Sequence, residues 1–393
     1  MEIMIKRLKG LYHLLIALFA NLWFSFPGKK ITVIGVTGTD GKTTTTTLIY
    51  KILKDARKRV SMITSVEAVI AGKTYDTGFH VTTPSTWQIQ KFLREAVDHG
   101  DTHMVLEVTS HGLAQHRVFG IPFAVGVITN VTHEHLDWHR TFSEYLLTKI
   151  SLLRRAEVAV INHDETRLYR VAMPLLYGKR LVTYGIHRRA HITPKTHAFN
   201  QRLPGEYNKY NCLAAVAVSD VLGIPFPSVK KTIVAFSGVT GRMEIVAVKP
   251  VRIIVDFAHT PNAIDQVLKT VRPQVPGRLI HVFGSAGLRD RTKRPLMGKT
   301  SAKYADIIIL TEEDYRTENV DSIIDQIQQG IHRSTRVYSI SDRSKAIEKA
   351  IRIARKDDLI ILTGKGHEKS LCRGKKEYPW SDTEAVKRIL KKL

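Results

Sequence analysis

The stretch Ile31–Thr47 constrains the fold of this chain more than any other and reads ITVIGVTGTDGKTTTTT. An apolar, β-rich run breaks into a turn that contains Gly38 and Gly41, and a Lys-Thr-Thr helix start follows. A strand that leads into such a turn points backbone N–H groups and a helix N-terminus at one spot, which favours phosphate oxygens. We expect Lys42 to reach the outer phosphates and Thr43 to ligate Mg²⁺.

The strict Walker pattern would have glycine at position 36, where this chain has Val36, so only the tighter G-x-x-G-K-T form is present. An ordinary strand-to-helix turn is the alternative interpretation. Because the two glycines, the lysine and the threonine all stand at the spacing that phosphate binding requires, the pattern predicts a nucleotide-binding site.

Composition places the chain among globular proteins that work in a reducing compartment. Its 393 residues predict two or three domains, and 43% hydrophobic with 24% charged residues is typical of neither a disordered nor a membrane-embedded protein. Cys212 and Cys372 belong to no C-x-x-C pair and cannot form a disulfide framework, so we expect a cytoplasmic location. The net charge of +24 favours polyanionic partners, but no zinc-finger or RNA-binding signature accompanies it. We therefore expect no nucleic-acid partner. We also expect a monomer.

Residues 1–30 contain an apolar run, Leu11–Phe26, with basic residues on both sides. The run is shorter than the ~20 residues that span a bilayer, and no small-residue cleavage site follows it. Two interpretations stay open. The segment is either a helix packed on the body of the protein or an interfacial helix, through residues 11–26, at the inner face of a membrane.

Alternating apolar and helical patterns predict an α/β protein with two sheet domains. The segment 31–238 should form a P-loop central domain with a mostly parallel sheet, and 239–393 a C-terminal Rossmann-like α/β domain. The sequence Ser-Gly-Val-Thr-Gly breaks both patterns at the boundary, and 1–30 forms an N-terminal apolar helix and linker. Candidate strands are 104–108, 125–130, 158–162, 252–256, 279–283, 306–310 and 359–362, and candidate helices are 87–98, 143–155 and 207–222.

Three further features could carry chemistry. Glu107 lies in an apolar strand, where an unpaired carboxylate is costly, so it is either a Mg²⁺ ligand at a strand end or half of a salt bridge within the sheet. The segment Thr129–His139, TNVTHEHLDWH, lacks zinc-protease spacing because Asp137 stands where histidine is required, and a hard cation that bridges phosphates suits it better. Lys149 falls beside the apolar face of a predicted helix, where snorkelling to solvent is the default explanation.

A set of motifs in one order resembles the Mur ligase family, and within it the UDP-N-acetylmuramoyl-tripeptide synthetases, which add the third residue of the peptidoglycan stem peptide. The resemblance extends from about Tyr12 to the C-terminus. The motifs are TGTDGKTTT, VTTPS, LEVTSHGLAQHRV, TNVTHEHLDWH, GEYNKYNCLAA, GRME, DFAHTP, KRPLMG and TGKGHE.

The resemblance implies a role for residues along the whole chain. The two-metal cluster would use Thr43, Glu107, His135 and Lys149, the lysine being carbamylated and thereby an oxygen ligand for magnesium. The catalytic residues would be Lys42, Glu107, His135 and Lys149. ATP would contact Gly38, Thr39, Asp40, Gly41, Lys42, Thr43, Thr44, Asn130, Asn208, Asn211, Arg242, Asp256 and His259. The muramyl-dipeptide would contact Thr82, Thr83, Thr109, Ser110, Gln115 and Arg117, and the incoming amino acid Arg289, Asp314, Arg316, Gly364 and Glu368.

Three departures from the family pattern carry expectations of their own. Arg316 for a distal carboxylate and Glu368 for an ammonium favour diaminopimelate, with lysine as the alternative, although Asp314 and Tyr315 replace the family's Asn and Pro. Asp40 stands where the family usually has Asn. The family also carries an N-terminal domain of about a hundred residues that grips UDP, whereas only residues 1–30 stand before the P-loop strand here. We therefore expect weak dependence on UDP.

The implied activity is that of an ATP-dependent ligase with two Mg²⁺ ions in peptidoglycan and cell-wall synthesis, which supports cell shape and division. It would join an amino acid to a muramyl-dipeptide through an acyl phosphate. The alternatives are a related amide ligase of the folylpolyglutamate or cyanophycin type, and a non-catalytic nucleotide-binding module that docks on a membrane.

Overall fold

The computed structural model describes residues 2–75, 83–132, 136–139, 141–331 and 335–392, with side chains from residue 10 onward except at 136 and 137. It divides into two compact units, of which the first comprises Met1–Thr132 and His139–Ser237 and the second consists mainly of Gly238–Leu393. Both units combine helices with largely parallel sheets, so the predicted α/β class is confirmed.

Helices and strands alternate through the first part of the chain, with a short 3₁₀ helix at Pro27–Lys30. The elements up to Ser237 are α1 (Glu2–Trp23), β1 (Thr32–Thr37), α2 (Lys42–Asp55), β2 (Val60–Ile63), β3 (Ala68–Ile70), β4 (Lys73–Tyr75), α3 (Thr86–Asp98), β5 (His103–Glu107), α4 (Ser110–Ala114), β6 (Phe123–Ile128), α5 (Leu136–His139), α6 (Phe142–Arg155), β7 (Ala156–Asn162), α7 (Thr166–Leu175), β8 (Arg180–Tyr184), α8 (Glu206–Val221) and α9 (Phe226–Ala235).

Among the described residues the first unit holds an eight-stranded sheet in the order β4-β3-β2-β5-β1-β6-β7-β8. In this spatial order all neighbouring strands from β2 to β8 are parallel. Strands β3 and β4 add an antiparallel edge beside β2. Strand β1 is central, with Val36 opposite Glu107 of β5 and Thr37 opposite Ile128 of β6. Since parallel strands end at the same edge, Glu107 and the residues after Ile128 adjoin the turn that follows β1.

The strands of this sheet are almost continuously apolar because helices cover both faces. One core cluster joins Val33, Leu106 and Phe123 of the sheet to Ile89 and Phe92 of α3, all of them buried. This packing fixes the strand ends, and the polar residues that follow them are therefore held on a rigid support.

The second unit is built in the same way around a smaller sheet. In the part of the chain that the structure describes, its strands follow the order β13-β12-β11-β14-β10-β9, parallel except for β9 at the edge, and β15 and β16 form a separate antiparallel hairpin. A 3₁₀ helix covers Arg272–Gln274. The elements are β9 (Glu244–Ala247), β10 (Arg252–Val255), α10 (Pro261–Val271), β11 (Leu279–Phe283), α11 (Lys293–Ala302), β12 (Ile307–Leu310), α12 (Val320–Gln328), β13 (Arg336–Ser339), α13 (Arg343–Ile353), β14 (Leu359–Leu362), β15 (Ser370–Arg373), β16 (Lys376–Pro379) and α14 (Asp382–Leu390).

The apolar N-terminal segment is helical as far as Trp23 and is attached to the first unit along one face. Ala17, Ala20 and Asn21 are buried on that face, and the Asn21 side-chain amide donates to the Phe119 carbonyl at 2.9 Å. No helix among the described residues is both long enough and apolar enough to cross a bilayer.

Candidate active site

The turn after β1 approaches other parts of the chain so closely that only glycine fits at two positions. A Cβ on Gly38 would lie 1.8 Å from the Thr129 hydroxyl oxygen, and one on Gly41 would lie 2.2 Å from the Asn211 side-chain oxygen. Gly41 also has a φ of 80°, which side chains disfavour. The absence of side chains at these two positions leaves the N-terminus of α2 open to a phosphate.

Hydrogen bonds from the end of β6 hold this turn in shape. The Thr39 amide donates to the Asn130 carbonyl at 2.9 Å, and the Asp40 amide donates to the Asn130 side-chain oxygen at the same distance. The Thr129 hydroxyl donates to the Asp40 carbonyl at 2.6 Å. The turn is therefore preorganised by residues about ninety positions away, and Asn130 belongs to the site as a support of its backbone.

The first two residues of α2 contact the turn and the end of β5. Lys42 lies at the helix start, and its Nζ donates to the Thr39 carbonyl at 2.9 Å. The Thr43 hydroxyl lies 3.1 and 3.2 Å from the two Glu107 carboxylate oxygens and 3.0 Å from the Ser65 hydroxyl. Both residues thus lie beside the carboxyl end of β1.

Glu107 is 1% exposed, and it accepts hydrogen bonds from the Thr43 hydroxyl and the Ser65 amide, the latter at 2.9 Å. These contacts differ from the salt bridge within the sheet that was the alternative interpretation. Hydroxyl and carboxylate oxygens in one place are hard donors of the kind that Mg²⁺ prefers, and Mg²⁺ usually takes only one or two carboxylates beside substrate phosphates. The donor set therefore fits magnesium. His135, the other predicted ligand, lies outside the described residues.

Lys149 is 1% exposed on α6, so the explanation that it snorkels to solvent is wrong. Its Nζ donates to the Gly38 carbonyl at 2.6 Å and lies 4.6 Å from the centroid of the Tyr145 ring. The Tyr145 hydroxyl in turn lies 3.0 Å from the Thr39 hydroxyl. The buried lysine thus contacts the turn after β1 directly.

The two asparagines expected on the adenine side lie one helical turn apart on α8. The Asn211 amide donates to the Asn208 side-chain oxygen at 3.3 Å, and the Asn208 amide donates to the Pro204 carbonyl at 2.7 Å. The Thr45 hydroxyl of α2 donates to the Asn211 oxygen at 3.4 Å, while Thr44 is buried on the same helix. Helix α8 therefore positions this pair directly beside the turn.

Residues predicted for the muramyl-dipeptide gather at the end of β5 and the start of α4. The Thr83 and Thr109 hydroxyls lie 3.0 Å apart, and Arg117 donates to the Thr83 carbonyl and, at 2.9 Å, to the Gln115 side chain. Burial lowers the pKa of Arg117. The buried Ser110 hydroxyl has no hydrogen-bond partner among the described residues, which leaves it available for a ligand. Thr82 lies outside the described part of the chain.

The ATP residues predicted in the second unit are likewise brought together. The Asp256 carboxylate accepts from the Met243 and Ala258 amides at 2.8 and 2.7 Å, which fixes the end of β10. The Arg242 guanidinium lies 4.2 Å from the centroid of the Phe257 ring, and the His259 ring packs edge-on against the same ring at 4.7 Å. An arginine, a histidine and an aromatic ring thus form one surface.

The predicted acceptor residues surround a buried group of charges. The Asp314 carboxylate accepts from Lys365 Nζ at 2.8 Å, and Lys365 also pairs with Glu368 at 2.5 Å. One buried ammonium is therefore shared by two carboxylates. The Arg316 guanidinium donates to the Gly287 carbonyl at 2.6 Å from a residue with a φ of 53°.

Two other predicted acceptor positions differ in their surroundings. Arg289 is exposed, whereas Gly364 has a φ of 102° and would place a Cβ 2.5 Å from Glu313 Oε2. Burial, together with the Asp314 carboxylate, raises the pKa of Glu313 to about 7. Its Oε2 accepts no hydrogen bond from any described residue.

Sequence reasoning gave no role to four side chains that the structure places at these sites: Ser65, Tyr145, Glu313 and Lys365. Lys365 stood inside a quoted motif, as the lysine of TGKGHE, and Glu313 directly precedes Asp314 and Tyr315, which replace the family's Asn and Pro. Ser65 and Tyr145 had no such signal, because their roles depend on the packing of β2 and α6 against the turn.

Comparison with known proteins agrees with this geometry. The Mur ligase middle domain matches residues 36–219, and the Mur ligase, glutamate ligase domain matches residues 241–366. A relative from Caldanaerobacter subterraneus subsp. tengcongensis, a UDP-N-acetylmuramoyl-L-alanyl-D-glutamate–2,6-diaminopimelate ligase, is 38% identical over 397 residues, which cover 95% of this chain and 81% of the relative.

Solved structures agree at the level of the backbone. A structure of a UDP-N-acetylmuramoyl-L-alanyl-D-glutamate–2,6-diaminopimelate ligase is 28% identical with a TM-score of 0.61, covering 92% of this chain and 78% of that one. A pseudomurein peptide ligase type C from Methanothermus fervidus shares the fold, with 20% identity and a TM-score of 0.71. The match covers 92% of this chain and 79% of that one. The chain therefore belongs to the Mur ligase family.

Proposed function

We propose that this protein is an ATP-dependent ligase that adds a diamino acid to the γ-carboxylate of D-glutamate in N-acetylmuramoyl-L-alanyl-D-glutamate, with or without UDP. The observation that carries the proposal is the arrangement of Thr43, Glu107 and Lys149 around a glycine turn made for phosphate. The relatives that match most of the chain carry the name of this reaction.

The reaction has two steps that balance without a further reactant. The terminal phosphoryl group of ATP passes to a carboxylate oxygen, giving ADP and an acyl phosphate. The acceptor amine then attacks the carbonyl carbon, inorganic phosphate leaves, and the amine loses a proton. Lys42 and the N–H groups at the N-terminus of α2 stabilise the phosphate oxygens, so most of the catalytic effect is electrostatic.

Thr43 and Glu107, together with His135 and a carbamylated Lys149, hold two magnesium ions in this proposal. Bound Mg²⁺ supplies positive charge next to the phosphates. Support comes from the depth of Lys149, whose Nζ reaches the turn rather than solvent, so that a carboxylate formed on it by CO₂ would sit among oxygen donors. In the unmodified lysine, Nζ donates to the Gly38 carbonyl.

Diaminopimelate is the acceptor that the second unit suits best, and lysine is the alternative. Arg316 is held by its backbone and by Gly287, so its guanidinium can pair with a carboxylate that lysine lacks. Asp314 is paired with Lys365, which weakens its repulsion of an acceptor carboxylate. Acidic groups at Glu313 and Glu368 favour an ammonium on the same amino acid.

The functional division in this proposal is a central ATP-binding part, 31–238, and a C-terminal amino-acid-binding part, 239–393, preceded by the helix and linker of 1–30. The enzyme works as a cytoplasmic monomer. A folylpolyglutamate type of ligase shares the fold, but the substrate side here is built from the Thr83, Thr109 and Arg117 contacts that belong to the muramyl-dipeptide motifs.

The test is release of ADP by the full chain with N-acetylmuramoyl-L-alanyl-D-glutamate, offered with and without UDP, and with diaminopimelate, lysine or no amino acid. We expect release only when both substrates are present, and fastest with diaminopimelate. Lys42→Ala should abolish it while Lys54→Ala, an exposed lysine of the same helix, keeps it. Release with a folate and glutamate instead, or full activity of Lys42→Ala, would refute the proposal.

A further inference from the structure

Helix α1 has two apolar faces, and among the described residues only one of them is buried against the protein. The buried face carries Ala17, Ala20 and Asn21. The opposite face, called here the outer face of α1, follows the same helical period and is between 38% and 65% exposed. Its residues are Leu11, Tyr12, Leu15, Leu18, Phe19, Leu22 and Trp23. A helix that is apolar all round is normally covered on all sides, so this face is built to meet an apolar surface.

An aromatic cluster extends the outer face onto helix α3. The Trp87 ring lies 6.1 Å from Phe19 and 5.9 Å from Trp23, and the Phe24 ring packs edge-on against it at 5.0 Å. Trp87 is itself 39% exposed. Tryptophan and tyrosine favour the boundary between lipid headgroups and acyl chains, because one part of each ring is apolar and another is polar.

The helix is fixed in place with its outer face outward. The Asn21 amide bonds to the Ala17 and Phe119 carbonyls at 2.7 and 2.9 Å, and a Cβ on Gly120 would lie 2.4 Å from the Asn21 oxygen. Gly28 is buried against Ile121 just beyond the helix. The exposed aromatic residues thus stand on a rigid support, which lowers the entropic cost of binding.

Charge identifies what the outer face meets. Between residues 3 and 39 the sequence has Lys6, Arg7, Lys9, Lys29 and Lys30 and no Asp or Glu, so basic residues flank the outer face at both ends in sequence, in the first turns of α1 and in the 3₁₀ helix that follows it. A second copy laid along the outer face, parallel or antiparallel, would bring cations against cations. An anionic bilayer pairs with both ends at once, and each basic residue near such a surface adds to its attraction.

We propose that the outer face of α1, with Trp87, docks this enzyme on an anionic lipid bilayer. The helix lies in the plane of the interface, since no described helix is long and apolar enough to cross it. The aromatic and leucine side chains enter the region between headgroups and acyl chains, and the lysines at both ends contact the headgroups.

The experiment is co-sedimentation of the full chain with vesicles of phosphatidylcholine alone or with about 30% phosphatidylglycerol. We expect binding to the anionic vesicles, several-fold weaker when salt is raised to about 0.5 M. The variant Leu15→Ser/Phe19→Ser/Trp23→Ser should bind at least about tenfold more weakly. The control Ile245→Ser/Val248→Ser removes exposed apolar side chains of the second unit and should bind like the wild type.

A second measurement does not depend on the stability of the triple variant. Acyl chains brominated near the headgroup should quench the tryptophan fluorescence of the bound wild type, and Trp23→Phe/Trp87→Phe should lose most of that quenching while it still binds. No binding to anionic vesicles, or equal quenching in both proteins, would overturn the proposal. A dimer of the wild type in the absence of lipid would also overturn the proposal if the triple variant were monomeric. In that case the outer face would bind a second copy of the chain.

Discussion

Replacing Glu313 by glutamine should make the protein more stable at alkaline pH and leave it nearly unchanged in acid. The carboxylate is buried, and burial together with the neighbouring Asp314 raises its pKa from 4.5 to about 7. Between these values the folded chain holds a proton that the unfolded chain has released. The free energy of unfolding therefore falls as the pH rises from about 4.5 to about 7 and changes no further through this group.

The magnitude follows from the same two values. A full difference between 4.5 and about 7 corresponds to about 3 kcal/mol, since each unit of pKa is worth about 1.4 kcal/mol. From about pH 5.5 to pH 8, the advantage of Glu313→Gln over the wild type should grow by about 2 kcal/mol. The value of about 7 already includes the effects of Lys293 and Lys365, which both lower the pKa of Glu313.

Urea unfolding of the full chain, followed by circular dichroism at a series of pH values, measures this difference. Glu384→Gln removes an equal charge from a 71% exposed side chain and should differ from the wild type by less than about 1 kcal/mol at every pH. A difference between Glu313→Gln and the wild type that stays constant with pH, or shrinks toward alkaline pH, would refute the reasoning.

Two further predictions concern the reaction. Lys149→Ala should lose ligation and regain part of it with added formate or acetate, because a small carboxylate can replace the carbamate. ADP release with and without these anions measures the rescue. A folded variant that these anions do not rescue would count against the carbamate. Arg316→Ala should reduce the preference for diaminopimelate over lysine by a factor of about ten or more, the value of a charge-assisted bidentate contact. Competition between the two amino acids measures this ratio, with the exposed Arg336→Ala as control, and an unchanged ratio would contradict the assignment.

The sheets were largely predictable from the sequence. The strands Leu279–Phe283 and Leu359–Leu362 have the predicted bounds, because a parallel strand covered on both faces is a continuous apolar run that polar residues end. The helix predicted from Trp87 to Asp98 begins one residue earlier, at Thr86, since Ser85 caps it by accepting from the Gln88 amide. Strand β3 was not predicted because it has only three residues, and β13, β15 and β16 were not predicted because polar residues interrupt any apolar run in them.

Side-chain partners far apart in sequence were harder to foresee. Asp314 and Lys365 lie 51 positions apart, and neither residue type alone indicates that the two are buried as a pair. The burial of Lys149 has the same origin, because a lysine beside an apolar helix face can turn outward or inward, and only the packing of α6 on β1 decides which. The phosphate turn was predictable because its chemistry is local.

The local chemistry of that turn nevertheless depends on distant chain segments, which has a consequence for folding order. Its glycines and amides contact Thr129, Asn130 and Asn211, so the turn acquires its final shape only after β6 and α8 have packed. Contacts of such long range form late, since closing large loops costs chain entropy before any contact repays it. A chain still emerging from the ribosome therefore has the glycine-lysine-threonine sequence long before it has a competent phosphate site. Nucleotide should accordingly select molecules whose first unit is complete and slow their unfolding, rather than assist the early steps of folding.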